Sequence, residues 1–209
     1  MELRDPRKQE VIYGVVYEMS PSPNRRHALI DGNIFNKLKN SFKDSRCEIF
    51  IEQLDFYFRF QEDRNDYIIP DIAIVCDWGK NEKHYHGTPR FVVETLSPST
   101  GHRDKTVKRE IYQNCGVEEY WLVDPNGCSL EIYYLKNGVY ELEQYYIYDD
   151  DKEEVTYNAD TKINLRCFPH VEIALSEIFE LYRSSRGNTD EICGVCITYS
   201  HRMIFSLSK

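Results

Sequence analysis

No apolar run in this chain approaches the ~20 residues that a membrane-spanning helix requires, so no membrane span is expected. The opening residues, M-E-L-R-D-P-R-K-Q-E, lack the apolar stretch of a secretory signal. Internal repeats, low-complexity tracts and a linker that would split the body are also missing, which excludes repeat arrays and low-complexity chains. Positive charge is in deficit: 26 Lys and Arg face 35 Asp and Glu, a net charge of -9, which argues against a surface that grips nucleic acid indiscriminately. Much of that charge is local, because residues 141–154 hold seven acids and one lysine while the remainder is close to neutral. The seven cysteines show no disulfide-like spacing except Cys193-x-x-Cys196. Cys76 and Cys115 sit among apolar residues or at a helix end, so reduced thiols in a cytoplasmic setting are expected. A zinc site at Cys193 and Cys196 would need two further ligands, with His201 the sole nearby candidate, and a tail without metal is the better reading.

What is present is a chain of 209 residues, 41% hydrophobic and 29% charged, long enough for one domain with a real core. We place that domain at residues 1–183 and a C-terminal tail at 184–209. The stretch from Ile68 to Asp124 carries the chemistry. It reads I-I-P-D-I-A-I-V-C-D, a polar loop, P-R-F-V-V-E-T-L-S-P-S-T, a charged helix D-K-T-V-K-R-E-I-Y-Q-N-C-G-V, and then E-E-Y-W-L-V-D-P. Two short Ile- and Val-rich runs have the composition of buried strands, yet each carries a carboxylate, Asp71 in the first and Glu94 in the second. Burying a carboxylate without a partner costs several kcal/mol or forces its pKa up. Two such acids call for a compensating cation, most simply a divalent metal. In the helix that follows, Asp104, Lys108 and Tyr112 are spaced four apart and share a face, which presents an ammonium beside the two acids. Carboxylates holding a metal beside a lysine suit phosphodiester hydrolysis.

The order P-D, then V-V-E-x-L-S-P-S-T, then D-x-x-x-K-x-x-x-Y-x-x-x-G-V-x-E-Y-W-x-V-D-P resembles the Uma-type family of restriction-endonuclease-like proteins, within the PD-(D/E)XK nuclease superfamily. The resemblance covers roughly Val11 to Tyr182. It implies an α/β fold, a restriction-endonuclease-like mixed central sheet flanked by helices, to which the hairpins would add an antiparallel meander. It implies Asp71 and Glu94 as catalytic acids and metal ligands, with the Thr95 carbonyl beside them and Mg²⁺ or Mn²⁺ as the ion. The wider superfamily places a lysine two residues after the second acid, where this chain has Leu96. The Uma-type pattern places it in the following helix, at Lys108, with Lys105 as runner-up. The expected substrate is nucleic acid, in the first place DNA, and the expected assembly a homodimer. The alternative is a catalytically inactive nucleic-acid-binding or protein-interaction module with the nuclease fold.

Other residues have two readings each. His27 falls where the family pattern has a histidine, as a substrate or metal-water contact, or else as a capping or exposed histidine. Ser97 would donate to the site or satisfy its own turn. Arg103, with His102, Lys105, Lys108 and Arg109, forms a basic cluster for substrate or a solvated helix face. Tyr112 would touch substrate or pack in the core. Glu52 is a further candidate acid, but alternation in Cys47 to Phe60 favours a solvated position. His84 and His86 lie in a polar loop whose composition points to a surface excursion.

Along the rest of the chain, Val11 to Met19 reads as a strand or hairpin arm with a turn at Gly14. Asn24 caps a helix with an apolar stripe of Ala28, Ile34, Phe35, Leu38 and Phe42. Cys47 to Phe60 reads as one long strand, and Gly116 closes the charged helix before a strand from Glu119 to Val123. Ser129 to Leu135 and Gly138 to Tyr148 form a hairpin, Ile163 to Phe168 a short strand, and Ile173 to Leu181 a final helix.

Overall fold

A computed structural model describes residues 9–19, 24–52, 54–57, 66–79, 84–148 and 160–180. The tail from residue 184, with Cys193, Cys196 and His201, and the acidic residues 149–154 lie outside the described residues.

The frame is a six-stranded mixed sheet in the order β10-β9-β8-β7-β6-β3. Its strands are β3 (Glu48–Ile51), β6 (Ile72–Val75), β7 (Phe91–Thr95), β8 (Glu119–Asp124), β9 (Ser129–Lys136) and β10 (Val139–Ile147). Every pair in it is antiparallel except β7 with β8. A parallel pair needs a crossover, and here the crossover is the charged helix. That helix runs through α2 (Gly101–Arg103), a π-helical turn (Asp104–Lys108) and α3 (Arg109–Cys115), and ends at Gly116 with φ 87°. A left-handed residue at that position is the usual glycine terminator. A second, four-stranded sheet in the order β2-β1-β5-β4 is built from β1 (Gln9–Ile12), β2 (Val15–Glu18), β4 (Phe56–Tyr57) and β5 (Tyr67–Ile68). β11 (Lys162–Asn164) pairs with β12 (Glu172–Ala174).

Strand periodicity divides the core in two. Phe91 and Val93 of β7, with Trp121 and Val123 of β8, enter one cluster together with α1 (Arg25–Ser41), β11, β12 and α4 (Leu175–Phe179). Val92, Tyr120 and Leu122 enter the other, with Ile12, Phe56 and Ile68 of the small sheet and Ile111 and Tyr112 of α3. Trp121 is fully buried and meets Phe91 edge-on at 5.2 Å. Burial of an indole of that size contributes on the order of 4–6 kcal/mol.

Several sequence expectations are corrected. The long strand from Cys47 breaks at Glu52, which has φ 46°, and β4 beyond it belongs to the small sheet. Likewise Pro70, which has no N–H for a ladder, separates β5 from β6 where the sequence read a single strand. The buried stripe of α1 is His27, Ile30, Asp31, Ile34 and Leu38, and Ala28 is exposed. Ile173 and Ala174, expected in the final helix, lie in β12, which leaves α4 only five residues. Finally, Cys47 and Cys76 form a disulfide. They extend the Glu48–Val75 register by one residue, so the two side chains meet across β3 and β6 although 29 positions apart in sequence.

Candidate active site

Glu94 and Thr95 are the last residues of β7 and point to opposite faces of the sheet, so two polar clusters flank the strand's end. On the α3 face Glu94 is 2% exposed, and Lys108 Nζ lies 3.1 and 3.2 Å from its two oxygens. The Tyr112 hydroxyl donates to Glu94 Oε1. Two further carboxylates share the ammonium: Glu10 Oε1 at 2.8 Å and Asp104 Oδ1 at 3.6 Å. Glu10 arrives from β1, where it alternates inward with Ile12, and its Oε1 also accepts from Ile69 N at 3.0 Å. Arg103 Nε stands 3.9 Å from Glu10 Oε2. Burial would discharge Lys108, but Glu94, Glu10 and Asp104 hold its pKa above the ordinary lysine value. For Glu94 burial dominates, and with Asp71, Asp104 and Glu10 nearby it outweighs Lys108 and drives the pKa well above normal. Asp104 is raised by burial as well.

On the α1 face Thr95 Oγ1 donates to Asp31 Oδ1 at 2.5 Å. Asp71, one residue before β6, links the faces, because its Oδ2 accepts from Thr95 N at 2.7 Å. The ring of His27 points into this space from the first turn of α1, with Nε2 at 2.9 Å from Asp31 Oδ2, 3.5 Å from Asp71 Oδ2 and 3.9 Å from Glu52 Oε1. Donor atoms of His27, Asp31, Glu52 and Asp71 all fall within 4.8 Å of one another. Burial works against charge on His27, yet its close contacts with the Asp31 and Asp71 carboxylates and their charges raise its pKa to about 10. Burial raises the Asp31 pKa. Glu52, in a left-handed conformation, donates its N–H to the Asp71 carbonyl at 3.0 Å, which turns its side chain toward the group. One imidazole and three carboxylates form a donor set that fits a divalent cation, and Asp31 Oδ2, buried and facing the His27 nitrogen at 2.9 Å without a well-aligned hydrogen bond, is an atom that such an ion would satisfy.

The structure brings Asp71, Glu94, Thr95, Lys108, Tyr112 and His27 to one end of the sheet. Lys105 instead lies on the surface, where it pairs with Glu131 at 2.9 Å. Ser97 is occupied by its own turn, bonded to Ser99, Thr100 Oγ1 and Thr100 N. Of the basic cluster, Arg103 covers the Tyr17 ring at 4.4 Å, Arg109 the Tyr133 ring at 5.2 Å, and His102 is exposed. His84 and His86 lie at the surface against Tyr57. His27 caps α1 only through its backbone N–H, which donates to Asn24 Oδ1 at 2.9 Å. Glu52, expected on a solvated face, is half-buried at the second cluster.

Glu10 and Asp31 were missed by sequence reasoning. The signal for Asp31 was its place on the helical stripe, four after His27 and three before Ile34. That for Glu10 was its alternation with Ile12.

The mixed sheet with its buried acids and lysine defines a protein of the nuclease-like α/β class. The family described as "Putative restriction endonuclease", Uma2, matches residues 1–175, and the chain belongs to that family. An uncharacterized protein of Synechocystis sp. (strain ATCC 27184 / PCC 6803 / Kazusa) is 27% identical over 167 residues, covering 79% of this chain and 80% of the relative. A crystal structure from Anabaena variabilis ATCC 29413, titled a "putative nuclease belonging to DUF820", superposes with a TM-score of 0.63 at 18% identity. It covers 82% of this chain and 89% of that one, and shows the shared fold. Among the described residues no helix is long and apolar enough to cross a membrane.

Proposed function

We propose that this protein is a metal-dependent endonuclease that hydrolyses phosphodiester bonds in DNA. The observation that carries this reading is Lys108, an ammonium 2% exposed that is locked to Glu94 beside the Asp71 carboxylate at the end of β7. Burying a lysine among acids costs several kcal/mol of desolvation, a cost that a charge-handling role in catalysis accounts for.

The cation, Mg²⁺ or Mn²⁺, would be held at Asp71, with either the His27, Asp31 and Glu52 group or Glu94 and the Thr95 carbonyl completing its ligands. When bound it supplies Lewis-acid polarisation of the phosphate and activation of water. Thr95 N–H orients the Asp71 carboxylate. Glu94, itself fixed by the Tyr112 hydroxyl, holds the Lys108 ammonium in place, where it steadies the attacking water and offsets charge on the phosphate as the bond to the leaving oxygen breaks. Arg103, at the margin of the same cluster, contacts substrate. Hydrolysis leaves a phosphate on one side of the cut.

The assembly we infer is a homodimer through edge strand β10, where Val139, Leu142, Tyr145 and Ile147 are exposed. Among the described residues β10 ends the sheet, and exposed apolar side chains on such an edge favour pairing with another chain.

The test is incubation of the purified protein with supercoiled plasmid, single-stranded DNA and RNA, with Mg²⁺, Mn²⁺ or EDTA. Metal-dependent cleavage of DNA that falls at least 100-fold in Lys108→Met supports the reading. A folded protein that binds DNA and cuts none of the three would instead be a binding module. Sedimentation equilibrium reports the dimer.

A further inference from the structure

We propose that the resting cation position is the His27–Asp31–Glu52–Asp71 group, and that its imidazole makes it a site for a first-row transition-metal dication such as Mn²⁺ in preference to Mg²⁺. The inference rests on the metal-dependent reading above and adds which side of Asp71 the ion occupies and which class of ion it is.

Geometry is the first support. Two donors each about 2.1–2.2 Å from one ion are about 3.0 Å apart at right angles and about 4.3 Å apart across it. Around His27 Nε2 the carboxylate oxygens of Asp31, Asp71 and Glu52 stand at 2.9, 3.5 and 3.9 Å, already within that range. Small side-chain adjustments would close them on a single centre.

The second support is a buried oxygen without a well-aligned hydrogen bond. Asp31 is 1% exposed, and Thr95 takes only its Oδ1, which leaves Oδ2 with the His27 nitrogen at 2.9 Å and no well-aligned hydrogen bond. A buried carboxylate oxygen in that state is costly unless a cation completes it. Asp71 Oδ2 is likewise aimed into the group by the Thr95 N–H. Such outer contacts orient ligands before an ion arrives.

Occupancy of the other side is the third. Both oxygens of Glu94 are engaged by Lys108, and Tyr112 donates to one of them. Before Glu94 could ligate an ion, it would have to give up these contacts. Charge points the same way: the group brings three carboxylates and one imidazole to a dication. An entry path exists at Glu52, whose side chain is 27% exposed while His27 and Asp71 are each at 9%.

Selectivity follows from the nitrogen. Mg²⁺ is bound through oxygen and keeps several waters, whereas imidazole favours transition-metal ions.

The experiment uses full-length protein stripped of metal, titrated with Mn²⁺ by calorimetry and examined by electron spin-echo spectroscopy. One bound Mn²⁺ showing nitrogen coupling from a histidine is expected, with at least tenfold more Mg²⁺ needed to displace it. In His27→Gln the coupling should vanish and affinity fall at least tenfold. Asp31→Asn and the more exposed Glu52→Gln should also weaken binding, the latter serving if the buried variants fail to fold by circular dichroism. Glu94→Gln should retain binding within threefold. Loss of binding in Glu94→Gln with retention in the folded Glu52→Gln protein would overturn the proposal, as would bound Mn²⁺ without nitrogen coupling or no Mn²⁺ bound at all. Cleavage is scored separately. Coupling without cleavage of any nucleic acid retains the site and ends the nuclease reading, whereas metal-dependent cleavage without coupling does the reverse.

Discussion

On one face of the sheet Glu94 meets Lys108, and on the other Thr95 meets Asp31; the two clusters hold similar acids but resolve their charge differently. On the α3 face Glu10, Glu94 and Asp104 gather around an ammonium that belongs to the chain, with Arg103 at the margin. On the α1 face Asp31, Glu52 and Asp71 gather around His27, whose charge depends on a proton. The first cluster brings its own cation and is a standing part of the fold. The second suits a cation that comes and goes, and Asp71 and Thr95 tie it to the first.

Four measurements sharpen or break that contrast. Lys108→Met leaves three buried carboxylates without their counter-charge, and removing one partner of a buried pair costs about 3–5 kcal/mol. Urea denaturation should show that loss, and adding Glu94→Gln to the same chain should recover part of it. If Lys108→Met were neutral, the α3 cluster would not be the permanent one.

Mn²⁺ should stabilise the wild type by about 2.7 kcal/mol at a hundred times its dissociation constant, through its preference for the folded state. His27→Gln should lose most of that gain and Glu94→Gln should keep it. Equal losses in the two variants would merge the clusters into one site.

A smaller effect concerns the anchoring of α1, which carries His27 and Asp31. Lys37 Nζ bonds Glu177 at 2.6 Å, and Glu177 also accepts from Ala174 N at 2.8 Å. Burial opposes charge on Glu177, but Lys37 and the Ala174 N–H prevail and its pKa is lowered. A carboxylate lowered in the folded state stabilises above its unfolded pKa of about 4.5, and that stability is lost as pH falls through its folded value. Because both side chains are partly exposed, the difference between wild type and Glu177→Gln should be at most about 1 kcal/mol at pH 7. It should shrink toward zero in melts at acid pH.

Smallest of all, Lys105→Ala removes a surface pair with Glu131 and should cost at most about 0.5 kcal/mol, with cleavage unchanged. Lost cleavage would make Lys105 a working lysine and reopen the choice between it and Lys108.

The apolar periods were enough to read the buried strands β6, β7 and β8, the charged helix with its terminal Gly116, and the β9–β10 hairpin. Each depends on neighbours within a few residues, where alternation, helical spacing and turn chemistry act. The same local patterns marked Asp71 and Glu94 as acids on core strands, and placed Lys108 one helical turn before Tyr112. Other features depended on contacts distant in sequence. Glu10 reaches Lys108 across 98 positions, from a strand in a different sheet. The π turn at Asp104–Lys108 has no local signature that spacing by four would reveal. Cys47 and Cys76 became a disulfide only because β3 and β6 pair in one register. Glu52 looked solvated under strict alternation, and it turned inward because the chain leaves the large sheet at that residue in a left-handed conformation. Local periodicity determined which segments are buried and which acids they carry. Tertiary packing decided which of those acids meet a lysine and which meet a histidine, because Glu94 and Thr95, adjacent in sequence, face different elements across the sheet.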